Sequence, residues 1–576
     1  MKFIAFIIFI LFGPSLFGIT YFVETTGSNS NLGTSASPFL TIQHGINQLI
    51  IGDSLVVQPG VYFEKVLIDD KIGSSSDLIT IVANGTVVID GTSSSPFSRE
   101  GLITIRNSSY IRLKGFTIQN FTTSGGGPTP VGILVDGSGQ GIQIRNNVIR
   151  NISNTTTFTG CAEGAHGIGV FGTTTSGLDN IDLISNEVYN NTLQSSEAFV
   201  INGNVDKFRV INNYVHDNNN IAFDFIGFEG ECSACGDEDR ARNGFVSNNI
   251  AENNSSIGNP WYPGTDGTAG GFYVDGGQYI LFDRNTSTKN DLGFEFASEM
   301  PGKKTEDIIM SNNYIFDNIE VGVIMGGYNA DNTQPGGGSA ERIHVINNSF
   351  YQNKGWGSEI VFQHRVVNAN IANNIFFGEA SVGENYEVFG SNNTDNTWGH
   401  NIWWGIGTAG QSNLEGTLTI VNPEFINPSN GDLSISNSSA AKNIGLLQNN
   451  ITGWPLDFWD ANISPHGDLD NTANLRIEDA IDVGADEVNS SINSSITVTF
   501  NCIEVNHNPF SSQIVLDGDF SNYEINILNA DNQIVQDFSG VNSSLIIDLC
   551  ELSDESHFLL IQHLANTLLG YQTIIK

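Results

Sequence analysis

Basic residues are scarce in this chain. Its 576 residues include 23 Lys and Arg against 62 Asp and Glu, a formal net charge of −39. A surface this anionic repels phosphate backbones and acidic lipid, which excludes nucleic acid and anionic membranes as partners. Cysteine is scarce too. Five in a chain of this length exclude a disulfide-built scaffold. Beyond the first eighteen residues no apolar run is long enough for a transmembrane span. Residues 1–18 combine Lys2, the apolar stretch FIAFIIFILF and the small residues of PSLFG. That order is expected of a signal peptide, with an uncleaved anchor as the alternative. The chain is therefore expected to be secreted or displayed at the cell surface, as a monomer.

What the sequence has in abundance is asparagine at a fixed place in a repeat. The copies read IRNNVIRN, LISNEVYNN, VINNYVHDNN, FVSNNIAENN, LFDRNTSTKN, IMSNNYIFDN, VINNSFYQN and IANNIFF. The shared residues are Asn147, Asn186, Asn213, Asn249, Asn285, Asn313, Asn348 and Asn374, at steps of roughly 26 to 39 residues. Each copy is too short to bury its own apolar residues, but stacked copies share one core. Asn tolerates the left-handed backbone region and hydrogen-bonds locally, so it suits a corner taken once per coil. Stacking coils at the strand spacing of about 4.8 Å would join the amides in a ladder. The pattern predicts an all-β chain, a right-handed parallel β-helix.

One strand of each coil can be aligned: GIGVF (167–171), AFVIN (198–202), AFDFI (222–226), GFYVD (271–275), GFEFAS (293–298) and GVIMG (322–326). Period two sends Ile168, Val170, Phe199, Ile201, Phe223, Phe225, Phe272, Val274, Phe294, Phe296, Val323 and Met325 inward. The alternate positions then face out: Asn202, Asp224, Tyr273, Asp275 and Glu295, with Glu299 one step further. Asp224 and Glu295 are expected on the order of 9 to 10 Å apart, two rungs of the sheet, with Asp275 diagonally between them. Carboxyls so spaced suit the acid and base of an inverting glycosidase. The same oxygens, Asp224, Asp275, Glu295 and Glu299, could instead hold Ca²⁺, or be ordinary polar residues of a solvated face. Two long insertions, 227–243 and 252–268, adjoin these strands and are expected to line the binding face. Trp261, Tyr262 and Tyr273 could stack on sugar rings or pack within the loops. Arg240 and Arg242 either bind a substrate carboxylate or pair locally with Asp237 or Asp239. His166 either flanks the cleft or is a turn residue without a role. Cys232 and Cys235 form a lone CxxC, better read as a disulfide than as half a zinc site.

The opening segment, YFVETTGSNSNLGTSASPFLTIQHGINQLIIGDSLVVQPGVYF, reads as strand, loop, helix from Thr41 to Ile51, then strands, with turns at Gly52-Asp53 and Gly60. It resembles the opening of pectin-lyase-like β-helix proteins, and residues 422–488, with NPEF, GDLSI and DVGADE, resemble their closing segment. The resemblance covers 19–488. Residues 489–500 read as a Ser/Asn-rich linker. Residues 501–576 alternate like a small β-sandwich, in which Cys502 and Cys550 could pair. Through Asn508-Pro509-Phe510, EINILNADNQIV and Thr573-Ile574-Ile575-Lys576 they resemble the C-terminal sorting domain of type IX secretion in the Bacteroidetes. A carbohydrate-binding appendage is the alternative. These resemblances imply a secreted enzyme that cuts or modifies a polysaccharide, with the type IX machinery as a partner in export. A hydrolase working through Asp224, Asp275 and Glu295 needs no cofactor. A polyuronate lyase would need Ca²⁺ and a basic residue, which only Arg240, Arg242 or Arg365 could supply. A non-catalytic glycan-binding or adhesin β-helix would share the same fold.

Overall fold

The fold is described from a computed structural model, which covers residues 18–156, 164–262, 264, 267–353, 355, 358–378, 385–405, 420–448, 471 and 481–488, and backbone strands between 497 and 574. Residues 1–17 of the expected signal peptide and Cys550 lie outside the described residues. The protein is a parallel β-helix. The chain divides into two compact units, residues 1–242 with 255–265, and residues 243–254 with 266–576.

In the first unit the helix Ile42–Gln48 covers the first coil, burying Ile42, Gly45 and Ile46. Thr41 caps it by accepting from the His44 N–H, and the Glu64 carboxylate accepts from the Ile42 and Gln43 N–H groups at 2.8 and 3.0 Å. These bonds satisfy donors that the helix itself leaves open. The Gly52-Asp53 turn has an equally local cause. Gly52 has φ +79°, and the buried Asp53 accepts from the Ile19 and Ile50 N–H groups at 2.7 and 3.0 Å.

Successive coils in this unit contribute Val66–Asp69, Arg99–Arg106, Thr129–Asp136, His166–Gly172, Phe199–Gly203 and Phe223–Ile226 to one parallel sheet. In the second unit Gly270–Asp275, Leu292–Ala297, Val321–Met325, Ser358–Phe362 and Tyr386–Val388 pair in the same manner. All the residues expected to point inward from these strands are 0% exposed. Phenylalanines 272 and 294 stack at 4.7 Å between centroids.

The asparagines do form ladders. In the first unit Asn147 donates its backbone N–H and Nδ2–H to Asn186 Oδ1, and Asn186 does the same to Asn213. In the second unit the ladder runs through Asn249, Asn285, Asn313, Asn348, Asn374 and Asn401. A second ladder lies five residues on in each coil, Asn191 to Asn218 and, in the second unit, Asn254, Asn290, Asn318 and Asn353. The expected reason for the shared Asn needs correction. The left-handed residue is the one before it: Asn146, Ser185, Asn212, Asn248, Arg284, Asn312, Asn347 and Asn373 have φ between 54° and 59°. The ladder residue is chosen for its amide, which both donates and accepts along the stack.

Residues 481–485 pack beside the ladder of the second unit, where Val483 joins Ile375, Ile402, Ile435 and Ala441. Asn347 Nδ2 donates to the Asp482 carbonyl at 2.9 Å. The C-terminal strands form two antiparallel sheets. One contains Thr497–Val505, Asn508–Asp517 and Leu545–Asp548; the other Ile534–Val541, Phe520–Leu528, His557–His563 and Leu569–Ile574. The first of these strands starts inside the segment expected to be linker, because TVTF alternates as a strand does. Among the described residues no helix is long and apolar enough to cross a membrane.

Candidate active site

In the second unit Tyr273 is opposite Glu295, and Glu295 opposite Ile324. Their neighbours along each strand fill the core, so these three side chains share one outward row. Asp275, opposite Ala297, lies in the next outward row, but it and Tyr273 are buried, at 3% and 4% exposed, contrary to the expected open face, so Tyr273 packs over the sheet and offers no free ring for a sugar. One strand spacing and two residues of rise put the Cα atoms of Asp275 and Glu295 roughly 8 Å apart.

Glu295 is partly exposed, and among the described residues its carboxyl makes no hydrogen bond or ion pair. Burial is the main force on its titration. Tyr273 and Ile324 flank it on both rungs and displace the water that would solvate a charge. The Glu299 carboxylate adds repulsion, and together they push the pKa up from 4.5 to about 8. At neutral pH the carboxyl therefore keeps its proton. The partial exposure leaves that proton within a ligand's reach.

Glu299 is exposed two residues past the end of the Glu295 strand, and it is tied to Asp275 through the backbone. Its N–H donates to Asp275 Oδ1 at 2.7 Å. Its carbonyl accepts from the Gly336 N–H at 2.7 Å, which brings in the 327–338 loop. That loop supplies a residue that sequence reasoning missed. Tyr328 is 52% exposed, and its phenol pKa is raised by burial first, then by Glu299, Asp275 and Glu295. It is thus a neighbour of all three carboxyls. Its ring lies against Gly336, where a Cβ would meet ring carbons at 2.1 Å and where φ is +75°. The signal was a single aromatic in GGYNADNTQPGGG, directly after an aligned strand. Arg365 holds the loop. Its guanidinium donates to the carbonyls of Gly338, Ala330 and Asn329 at 3.0, 3.0 and 2.5 Å. It is thereby committed to the backbone and is not the free base that a lyase would need.

Among the described residues no three His, Cys, Asp or Glu gather into a group that could hold a metal ion. Asp275 Oδ1 accepts the Glu299 N–H. A calcium site wants several charged oxygens.

The first unit holds the other expected residues. Asp224 is in register with Val200, and Asn202 with Ile226, so Asn202 and Asp224 share the outward face. Both are buried, at 3% and 2% exposed. The loop after Ile226 folds back over this face, contrary to the expected open cleft. Asn202 Nδ2 donates to Glu229 at 2.8 Å, and Arg99 pairs in two-pronged fashion with Glu231 while lying 3.7 Å from the Phe171 ring centroid. The apolar outward residues Leu134, Phe171, Val200 and Ile226 explain the fold-back, since they form a buried cluster. Cys232 and Cys235 are disulfide-bonded within the loop, as expected.

The loop arginines do not reach the outward face. Arg242 donates to the Glu238 and Arg240 carbonyls and sits 3.8 Å from Asp206, while Arg240 lies over the Phe228 ring. Of the two expected partners, Asp239 accepts from the Gly230 and Cys232 N–H groups. His166 is also buried. Its Nδ1 is 3.0 Å from the Glu197 carbonyl, and burial pushes its pKa down to about 4, so it is neutral and does not flank an open cleft. Trp261 is half-buried in a turn organised by Asn259, which accepts its N–H and donates to the Gln194 and Asn219 carbonyls.

No protein-family profile matches the chain. Over 392 residues it is 36% identical to a Bacillus subtilis (strain 168) protein named "Uncharacterized protein YwoF", covering 66% of this chain and 79% of that one. Among solved structures it is similar to pectate lyase Pel9A, with TM-score 0.44, 16% identity, and coverage of 82% of this chain and 97% of that one. It is also similar to a GH136 lacto-N-biosidase from Eubacterium ramulus, with TM-score 0.40, 13% identity, and coverage of 67% and 68%. A PL6 family alginate lyase, AlyGC, gives TM-score 0.44 at 14% identity, over 68% of this chain and 54% of that one.

Proposed function

The chain belongs to the same family as Bacillus subtilis YwoF, and for this member we propose a glycan-cleaving hydrolase in which Glu295 is the general acid. The observation that carries this reading is the Glu295 carboxyl, kept protonated to about pH 8 on an outward row of the sheet. A general acid is useful when it holds its proton at the working pH and can reach the leaving group. In the proposed reaction Glu295 gives its proton to the glycosidic oxygen as the bond from that oxygen to the anomeric carbon breaks. Asp275 takes a proton from the water that attacks the anomeric carbon. The leaving sugar departs as an alcohol, and the other product carries the new hydroxyl with inverted configuration. An inverting pair needs its carboxyl groups roughly 6.5 to 9.5 Å apart, and Cα atoms roughly 8 Å apart on neighbouring strands are compatible with that spacing.

The second unit offers a lyase little support. Arg365 is committed to carbonyl oxygens, and no three acids gather to hold Ca²⁺ among the described residues. In keeping with the proposed activity, the chain would be exported through residues 1–18 and handled by type IX machinery through its C-terminal strands.

The test is product analysis on a panel of neutral and uronate polysaccharides. New reducing ends without the ultraviolet absorbance of an unsaturated sugar are expected, and Glu295→Gln and Asp275→Asn should each remove them. Unsaturated products would turn the reading to a lyase. No cleavage of any member would turn it to a glycan-binding protein. Asp224→Asn, scored separately, asks whether the first unit takes part in the chemistry.

A further inference from the structure

The first unit contains a recess on the outer side of the strands Val66–Asp69, Arg99–Arg106 and Thr129–Asp136, with a volume of about 330 Å³. That is at the small end of the range for ligand sites. Its walls include Lys65, Phe97, Arg99, Glu100, Arg106 and Asp136. Two properties set it apart.

The first is Phe97. It is 91% exposed, the most exposed large apolar side chain among the described residues. Its backbone is fixed all the same, because its N–H donates to Glu100 Oε2 at 3.0 Å. An aromatic ring standing in water beside a polar recess has an unused apolar face.

The second is charge balance. Three of the chain's 23 cations line this recess. Each has an acid partner. Lys65 donates to Glu100 Oε1 at 2.7 Å, Arg106 bonds Asp69 at 3.1 and 2.9 Å, and Arg99 bonds Glu231 at 2.5 and 2.8 Å. Each cation also keeps at least one N–H outside its ion pair. The walls thus present fixed donors and acceptors with little net charge.

From these features we infer that the recess binds one or two rings of a neutral glycan. A pyranose has an apolar C–H face, which stacks on Phe97, and hydroxyls, which both donate and accept. The paired charges of Lys65 with Glu100 and Arg106 with Asp69, and the Asp136 carboxylate that accepts from the Thr173 hydroxyl, suit hydroxyls of that kind. An anionic sugar would meet Glu100 and Asp136 and the field of a chain carrying −39. The inference shares with the proposed function only the premise that the ligand is a glycan. It concerns binding in the first unit, whereas Glu295 lies in the second.

The experiment is calorimetric titration of the full chain carrying Glu295→Gln with β-linked hexasaccharides of glucose, mannose and xylose, and with hexagalacturonate. At least one neutral hexasaccharide should bind, and adding Phe97→Ala should weaken it roughly three- to tenfold. Asp136→Asn should weaken it by less. Phe97 is so exposed that its truncation leaves the fold intact, which circular dichroism checks. Binding of hexagalacturonate alone, of no member, or with an affinity indifferent to Phe97→Ala would each overturn the inference. None of these results bears on whether Glu295 cleaves, which is scored by reducing ends in the wild-type chain.

Discussion

Replacing Glu295 by Gln should remove activity and stabilise the protein at alkaline pH. Its folded pKa of about 8 lies above the ordinary 4.5. The sign follows from linkage. Below pH 4.5 the carboxyl is neutral whether folded or unfolded, and the folded state bears no charge cost. As the pH rises from 4.5 towards 8, the unfolded chain ionises freely while the folded one resists, and stability falls. Above pH 8 the folded protein carries the ionised group in a site that disfavours it. At about 1.4 kcal/mol per pH unit, the cost is on the order of 3 to 5 kcal/mol, the lower figure allowing for partial exposure. Gln has the same shape and cannot ionise, so Glu295→Gln should recover most of that loss at pH 9 and change little at pH 4.

A solenoid opens coil by coil, so the assay should be local. Hydrogen exchange at Gly270–Asp275, Leu292–Ala297 and Val321–Met325 should slow in the variant at pH 9, after correction for intrinsic exchange. Activity should fall on the order of 10²- to 10⁴-fold, as expected for loss of a general acid. In the wild type, turnover should decline above pH 8 about tenfold per unit. Equal exchange protection in the two proteins at pH 9 would refute the account of Glu295. So would full activity in the variant.

Other perturbations separate structure from chemistry. Glu359 is fully buried, where it accepts from Asn353 Nδ2 at 2.5 Å, and burial pushes its pKa up to about 8. Glu359→Gln should therefore also slow exchange in Ser358–Phe362 at pH 9, yet leave activity unchanged. Asn313→Ala would strip the acceptor from both the N–H and the Nδ2 of Asn285, all buried. A loss of about 3 kcal/mol or more is expected, read as faster exchange in the coils on either side. Arg365→Ala would release the carbonyls of Asn329, Ala330 and Gly338. Limited proteolysis should then cut the 327–338 loop sooner, and turnover should fall as Tyr328 loses its fixed place beside the carboxyls.

The coil was legible because two signals with different periods coincide in the sequence. One residue in two points inward along GFYVD and GFEFAS, and one Asn recurs in every coil. Both follow from local geometry, and the outward rows containing Tyr273, Asp275 and Glu295 came with them. The second ladder was visible as well, in the trailing Asn of copies such as LISNEVYNN. What the sequence could not show was which loops lie down. Nothing local marks 227–240 as folding over Phe171 and Val200, since that depends on Arg99, which is 132 residues from its partner Glu231. Tyr328 was hidden for the same reason. Its place beside Glu295 is set by Arg365 and by the missing side chain at Gly336, not by anything adjacent in the chain.

The leading glycine of the aligned strands shows how the interior frees the exterior. A Cβ on Gly271, Gly293 or Gly322 would come within 2.7, 3.0 and 3.0 Å of the Nδ2 atoms of Asn290, Asn318 and Asn353. Each glycine therefore makes room for a rung of the second ladder, in the strand that carries the outward acids further along. The ladder satisfies buried polar groups by stacking like on like, and the phenylalanines fill the rest. Register is then fixed from inside the coil, and no outward residue is needed to hold it. That independence is what lets Glu295 remain without a hydrogen bond among the described residues, in an environment that opposes its charge. Its neighbours favour the neutral carboxyl, which is the feature the proposed general-acid role rests on.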